Sequence, residues 1–204
     1  MSEAGPRRTL APAETRKRLI EATVSCLVEF GYSGTTTQRV QDRAGVSRGA
    51  LLHHFPRKPD LFVAAVLHVA EQHGARMREL LADGPGSGDQ VIFGISVLLE
   101  GMSGPLFLAG HELWMAARTD AVLRATLGPS EREVGRLLRE IGAEAFGPDY
   151  SALPGFPVAF ESLVQVLRGL AMTSVLRRNP RTEEQILHMW AVNFSSMCST
   201  TPVP

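Results

Sequence analysis

Apolar residues recur along this 204-residue chain with a helical period. Between Ala13 and Phe30 the positions Ile20, Val24, Leu27 and Phe30 follow at steps of four, three and three, which places them on one face of a helix. Gly31 stands where that helix would stop. A short helix is predicted from Thr37 to Ala44, ended by Gly45, and another from Ser47 to Phe55. Beyond Pro56, Pro59 and Asp60 suit the first turn of a long helix, where proline fits and the dipole favours an acid. Its inner face would be Phe62, Val66, Val69, His73, Met77 and Leu80. Ending near Ala82, it would be roughly 36 Å long.

The run Gly84-Pro85-Gly86-Ser87-Gly88 interrupts the period and reads as a loop. Helical spacing resumes near Gln90, with breaks expected near Gly104-Pro105 and Gly128-Pro129. Ser130 with Glu133, and Thr182 with Gln185, have the spacing of capping boxes. The first precedes Val134, Leu137, Leu138 and Ile141; the second opens a last helix through Ile186, Met189 and Trp190. Between them a loop from Gly147 to Pro157 leads into a helix through Phe160, Leu163, Leu167 and Leu170. No strand-like alternation occurs. The fold class is all-α, a three-helix head joined to a larger helical body, divided as an arm (1–12), a head (13–60) and a body (61–204).

Composition narrows the function classes. Hydrophobic content of 44% and charge of 21% describe an ordinary globular chain. No apolar run approaches the roughly 20 residues of a bilayer span, so no membrane is expected. Arg7 and Arg8 have no apolar stretch behind them, so no signal peptide is expected. Two cysteines, Cys26 and Cys198, make no disulfide framework and fit a reducing cytoplasm. Cys26 reads as buried packing, and Cys198 lies near a tail expected to fray. The formal net charge is zero, but residues 1–60 hold ten Lys and Arg against six Asp and Glu, so +4, and the remainder balances at −4. A basic head on an acidic body suits a phosphate-backboned partner that only the head meets.

The head has the elements of a helix-turn-helix, in which the second helix enters the major groove. Thr36 and Thr37 are capping residue types whose hydroxyls can also donate to phosphate. Val40 and Ala44 face inward, and Gly45 permits the left-handed backbone that ends a helix. Val46 plugs the corner, Ser47 caps the second helix, and Leu51 and Phe55 close a small core. Arg48, Gly49, Ala50 and His53 remain for the outer face.

These residues resemble the signature of the TetR/AcrR family of bacterial repressors. The shared positions are Gly31-Tyr32, Thr36-Thr37, Ala44-Gly45-Val46-Ser47, Gly49, Leu51, His54-Phe55, Lys58 and Leu61. The resemblance implies that Thr37, His54 and Lys58 hold the DNA backbone. It also implies that Gln38, Arg48, Gly49, Ala50 and His53 lie against base edges, with Arg48 suited to bidentate pairing with guanine. The chain has Leu52 where the family has a backbone-contacting tyrosine. The DNA-binding set is therefore Thr36, Thr37, Gln38, Ser47, Arg48, Gly49, Ala50, His53, His54 and Lys58.

Catalysis finds no support in the body. His111-Glu112 begins a zinc-protease motif, but Met115 stands where its second histidine would be. There is no phosphate loop, nucleophile elbow or carboxylate cluster, and no enzyme, cofactor or metal is expected. Met102, Phe107, Trp114, Met115, Phe160 and Leu163 could line an apolar cavity, with His111, Glu112 and Arg118 as polar anchors; the alternative is that they are simply core, with Glu112 and Arg118 paired to other helices. Apolar faces on Ser130–Phe146 and Val158–Arg177 are broad enough to meet a partner. In the family the corresponding pair forms a four-helix bundle across a two-fold axis. The resulting expectation is a homodimeric repressor, released from a palindromic operator on double-stranded DNA by a small apolar or aromatic effector. The alternative is a small-molecule-binding or scaffold protein with a vestigial head.

Overall fold

A computed structural model describes residues 11–86, 88–176 and 179–200 of the chain. The described residues form α-helices: α1 (Pro12–Gly34), α2 (Thr37–Ala44), α3 (Arg48–His54), α4 (Lys58–Asp83), α5 (Gln90–Gly101), α6 (Gly104–Ala117), α7 (Ala121–Phe146), α8 (Pro148–Ser151), α9 (Phe156–Thr173) and α10 (Pro180–Ser199). No single described helix is long and apolar enough to cross a membrane. The arm expected over 1–12 lies outside the described residues as far as residue 10, and Pro12 is already the first residue of α1.

The chain divides into two compact units. The first holds residues up to Val69 together with Ala109–Ser130, so the unit that contains the head extends beyond residue 60 and includes a distant stretch of chain. Its core has two parts. Leu19, Ile20, Ala22 and Cys26 of α1 meet Val40, Ala44, Leu51, Phe55, Leu61 and Ala64, which closes the helix-turn-helix. Leu27, Phe62 and Ala65 meet Ala109, Leu113, Ala117, Leu123 and Leu127. The buried stripe of α1 thus runs through Leu19, Ala22, Thr23 and Cys26 as well as Ile20 and Leu27, while Phe30 is 38% exposed. The expected face was rotated toward Phe30 because the apolar period alone cannot show which side a neighbour covers.

The second unit, 70–108 with 131–204, is built on aromatic residues. Phe146 stacks on Phe194 with centroids 4.4 Å apart, and Phe156 stacks on Phe160 at 5.8 Å. Leu98, Ile141, Leu163, Leu167 and Cys198 complete a core with no measurable exposure. Cys198 therefore belongs to the core. At Gly155, whose N–H donates to Cys198 O at 2.8 Å, a side chain would collide with the last carbonyls of α10.

Two helix starts differ from expectation. α7 continues through Pro129 without a break. Ser130 is buried and turns its hydroxyl back to Leu127 O at 2.7 Å, so it serves a carbonyl beside the proline instead of capping a new helix. α10 is capped by Asn179, whose side chain accepts from Thr182 N at 3.3 Å while Asn179 N donates to Glu183 at 3.2 Å. Proline at the next position suits that start better than Thr182 does.

Candidate nucleic-acid interface

The helix-turn-helix is set by short-range chemistry. Thr36 adopts an extended backbone and its hydroxyl accepts from Arg39 N at 3.2 Å, so α2 begins at Thr37. α2 ends at Gly45, where φ is +66° and ψ is +34° and the N–H donates to Asp42 O at 3.3 Å. Val46 N donates to Gln41 O at 3.3 Å, which tightens the corner. Ser47 then caps α3 by accepting from Ala50 N at 3.2 Å. Val40, Ala44, Leu51 and Phe55 bury the inner sides of both helices.

That burial leaves the other side of the two helices open to solvent. Thr36, Thr37 and Gln38 are exposed at the start of α2. Ser47, Arg48, Gly49 and His53 are exposed along α3, with Ala50 and His54 half-buried. The turn joins these two groups of the ten candidate positions. Gln38 lies along its own helix, its amide nitrogen donating to Asp42 Oδ1 at 2.8 Å. Leu52, 45% exposed, adds an apolar side chain to α3. Arg57 is held in a fork by Asp60 at 3.0 and 2.6 Å, which raises its pKa further above the ordinary range.

Lys58 is placed differently from the other candidates. Its Nζ sits 5.1 Å from the centroids of both Tyr32 and Phe62. Burial pushes its pKa down, opposed by attraction to Asp120. The Tyr32 hydroxyl donates to Asp120 Oδ2 at 3.2 Å, while Asp120 Oδ1 accepts from Leu123 N at 2.9 Å and so caps α7. Nothing in the sequence paired Tyr32 with Asp120, though an acid three residues before Leu123 carries a helix-start signal.

The candidate effector residues divide between the units. Met102, Phe160 and Leu163 are buried in the aromatic core, and Phe107 borders it. In the first unit the rings of His111 and Trp114 lie 4.8 Å apart, Met115 is 57% exposed, and Arg118 is exposed. Glu112 accepts from Tyr32 N at 2.7 Å, a contact with the head that the effector reading did not foresee. Among the described residues no group of three or more His, Cys, Asp and Glu is arranged to hold a metal ion.

Known proteins share this arrangement. Residues 19–65 match the model of the bacterial regulatory proteins, tetR family. An uncharacterized HTH-type transcriptional regulator of Mycobacterium tuberculosis is 29% identical over 181 residues, covering 86% of this chain and 90% of that protein. The HTH-type transcriptional repressor AcnR of Corynebacterium glutamicum is 33% identical over 122 residues, 56% of each chain. The crystal structure of the multidrug binding protein EbrR complexed with ethidium superposes with a TM-score of 0.63 at 25% identity, covering 88% of this chain and 97% of the other. The mycobacterial and corynebacterial relatives are both named as transcriptional regulators. With a matching head and a fold shared along most of its length, the chain is similar to the TetR family of bacterial transcriptional regulators.

Proposed function

We propose that this regulator is a homodimeric repressor, cytoplasmic, that binds a palindromic operator and leaves it when a small apolar or aromatic molecule binds. The observation that carries the reading is the exposed row Arg48, Gly49 and His53 on a helix whose opposite side, Leu51 and Phe55, is buried in the head. Arg48 reads guanine, Gln38 a neighbouring base, and Thr37, His54 and Lys58 hold the backbone. The aromatic pair holds the Lys58 ammonium by about 0.5–1 kcal/mol, which a phosphate contact exceeds.

The exposed side chains of the second unit support dimerisation. Val158 and Met172 of α9, Val175 and Leu176 just beyond it, and Met189 and Val192 of α10 are between 46% and 94% exposed. On the outer side of α7, Arg136 instead pairs with Glu133 and Glu140. A second copy meeting α9 and α10 buries the apolar set, so these two helices replace the 130–146 segment in the proposed interface. Two heads then reach half-sites about 34–36 Å apart.

The repressor name of AcnR and the ethidium complex of EbrR support repression and an aromatic effector. α4 starts three residues after Phe55, which makes it a direct link from body to head. A coupling of about 1–3 kcal/mol suffices to empty an operator.

The test is selection of duplexes from random DNA by the purified protein, followed by competitive gel shifts. A palindromic consensus is expected, with Arg48→Ala relaxing base preference and Lys58→Ala weakening every duplex alike. Leu176→Glu should shift sedimentation from dimer to monomer, and ethidium should release the selected duplex. Recovery of no preferred sequence would favour a vestigial head instead.

A further inference from the structure

α1 is interrupted near its end. At Gly31 the backbone turns to φ +66° and ψ −176°, and Tyr32–Gly34 form one further turn. Thr35 closes that turn by donating its N–H to Gly31 O at 3.1 Å and its hydroxyl to the same oxygen at 2.7 Å. Such an interruption leaves the next N–H without a helical acceptor. Glu112, eighty residues along the chain on α6, accepts that N–H from Tyr32 at 2.7 Å. A Cβ at position 31 would stand 2.6 and 2.8 Å from the two carboxylate oxygens. Glycine is therefore required there twice, for the positive φ and for the approach of Glu112.

Tyr32 is gripped at its far end too. Its hydroxyl donates to Asp120, the residue that caps α7, and both bonds lie in one compact unit. The first residue of α2 follows Tyr32 by only five positions, and the Thr35 between them is 1% exposed. The start of α2 carries Thr36, Thr37 and Gln38.

We infer that Glu112 and Asp120 are positioning residues that clamp Tyr32 and thereby set where the first helix of the helix-turn-helix begins. The end of α6 and the corner before α7 then fix the DNA-facing end of α2 without touching DNA. A displacement of α6 that opens the Glu112 bond loosens Thr36 to Gln38 and weakens operator binding. The clamp deepens the proposed function and rests on it, and it gives Glu112 a role other than holding an effector.

The test uses the full-length protein, a duplex selected by it, and the variants Glu112→Ala, Glu112→Gln and Tyr32→Phe. In Glu112→Ala, hydrogen exchange at Tyr32 should accelerate while amides between Leu19 and Leu27 keep their protection. Affinity for the duplex should fall roughly tenfold, with the slope of log K against log salt unchanged because no phosphate contact is lost. Glu112→Gln, which keeps an acceptor oxygen, should recover most of the affinity. Tyr32→Phe should lose affinity with normal exchange at its own N–H. Unchanged exchange in Glu112→Ala would overturn the clamp. So would faster exchange with undiminished affinity, or a lowered salt slope. A wild-type protein that selects no duplex would refute the proposed function, while the exchange measurement would still decide whether the bond exists.

Discussion

The guanidinium carbon of Arg39 lies 4.4 Å above the ring of Phe30, and Arg39 Nη1 donates to Gly34 O at 2.6 Å. Arg43, itself paired with Glu29, reaches the same ring at 5.5 Å. An aromatic side chain left 38% exposed at the end of α1 is thus covered by two cations from α2 instead of by apolar neighbours. Arg39→Ala is expected to lower the stability of the head by about 1 kcal/mol, read as an earlier midpoint in urea unfolding. Phe30→Ala in the same background should then cost little more, since the two residues act as a pair. Fully additive losses would contradict the pairing.

Gly45 offers a cleaner backbone test. A Cβ there would meet nothing within 4 Å, so any penalty of substitution comes from φ +66° alone. A left-handed conformation costs an alanine about 1–2 kcal/mol, partly offset by the reduced freedom of its unfolded chain. Gly45→Ala should therefore destabilise the head by about 1 kcal/mol, and Gly45→Asn by less. Equal effects of the two in thermal unfolding would point to a steric cause instead.

Asp120 makes the first unit sensitive to acid. The Leu123 N–H, then the Tyr32 hydroxyl and the Val122 N–H, hold its carboxyl below the usual range, while burial opposes them. A carboxylate with a depressed pKa stabilises the fold above its unfolded value of about 3.9, and that stability is lost as pH falls through the folded value. Unfolding midpoints should fall more steeply between about pH 5 and pH 3 in the wild type than in Asp120→Asn. Parallel curves would show that other carboxylates dominate.

How much of this was legible depended on how far apart the partners lie in the chain. Thr36 with Arg39, Gly45 with Asp42, and Ser47 with Ala50 are three residues apart, and the sequence marked Gly45 as a helix end, Ser47 as a cap and Thr36 as one of two capping candidates. The same local reasoning was less secure where two signals compete. Ser130 with Glu133 reads as a cap, yet the helix runs on, because the hydroxyl can equally return to Leu127 O. Thr182 reads as a cap, but Asn179 followed by proline is the stronger start. The contacts of Tyr32 with Glu112 and Asp120 span 80 and 88 residues, and no periodicity or capping pattern carries that information.

The two cysteines provide a clock for each compact unit. Cys26 and Cys198 have no measurable exposure, and burial pushes both thiols up, so neither is a ready thiolate. Cys26 belongs to the unit with the head and Cys198 to the other. Labelling by a thiol reagent therefore requires opening of the unit concerned. In Cys198→Ala the rate reports the head, and in Cys26→Ala it reports the body. A selected duplex, which binds only the folded head, should slow labelling of Cys26. Labelling of Cys198 should slow equally if the units open together and stay unchanged if they open separately. Labelling of Cys26 that DNA does not slow would mean that the head core opens while bound, contrary to a recognition surface built on that core.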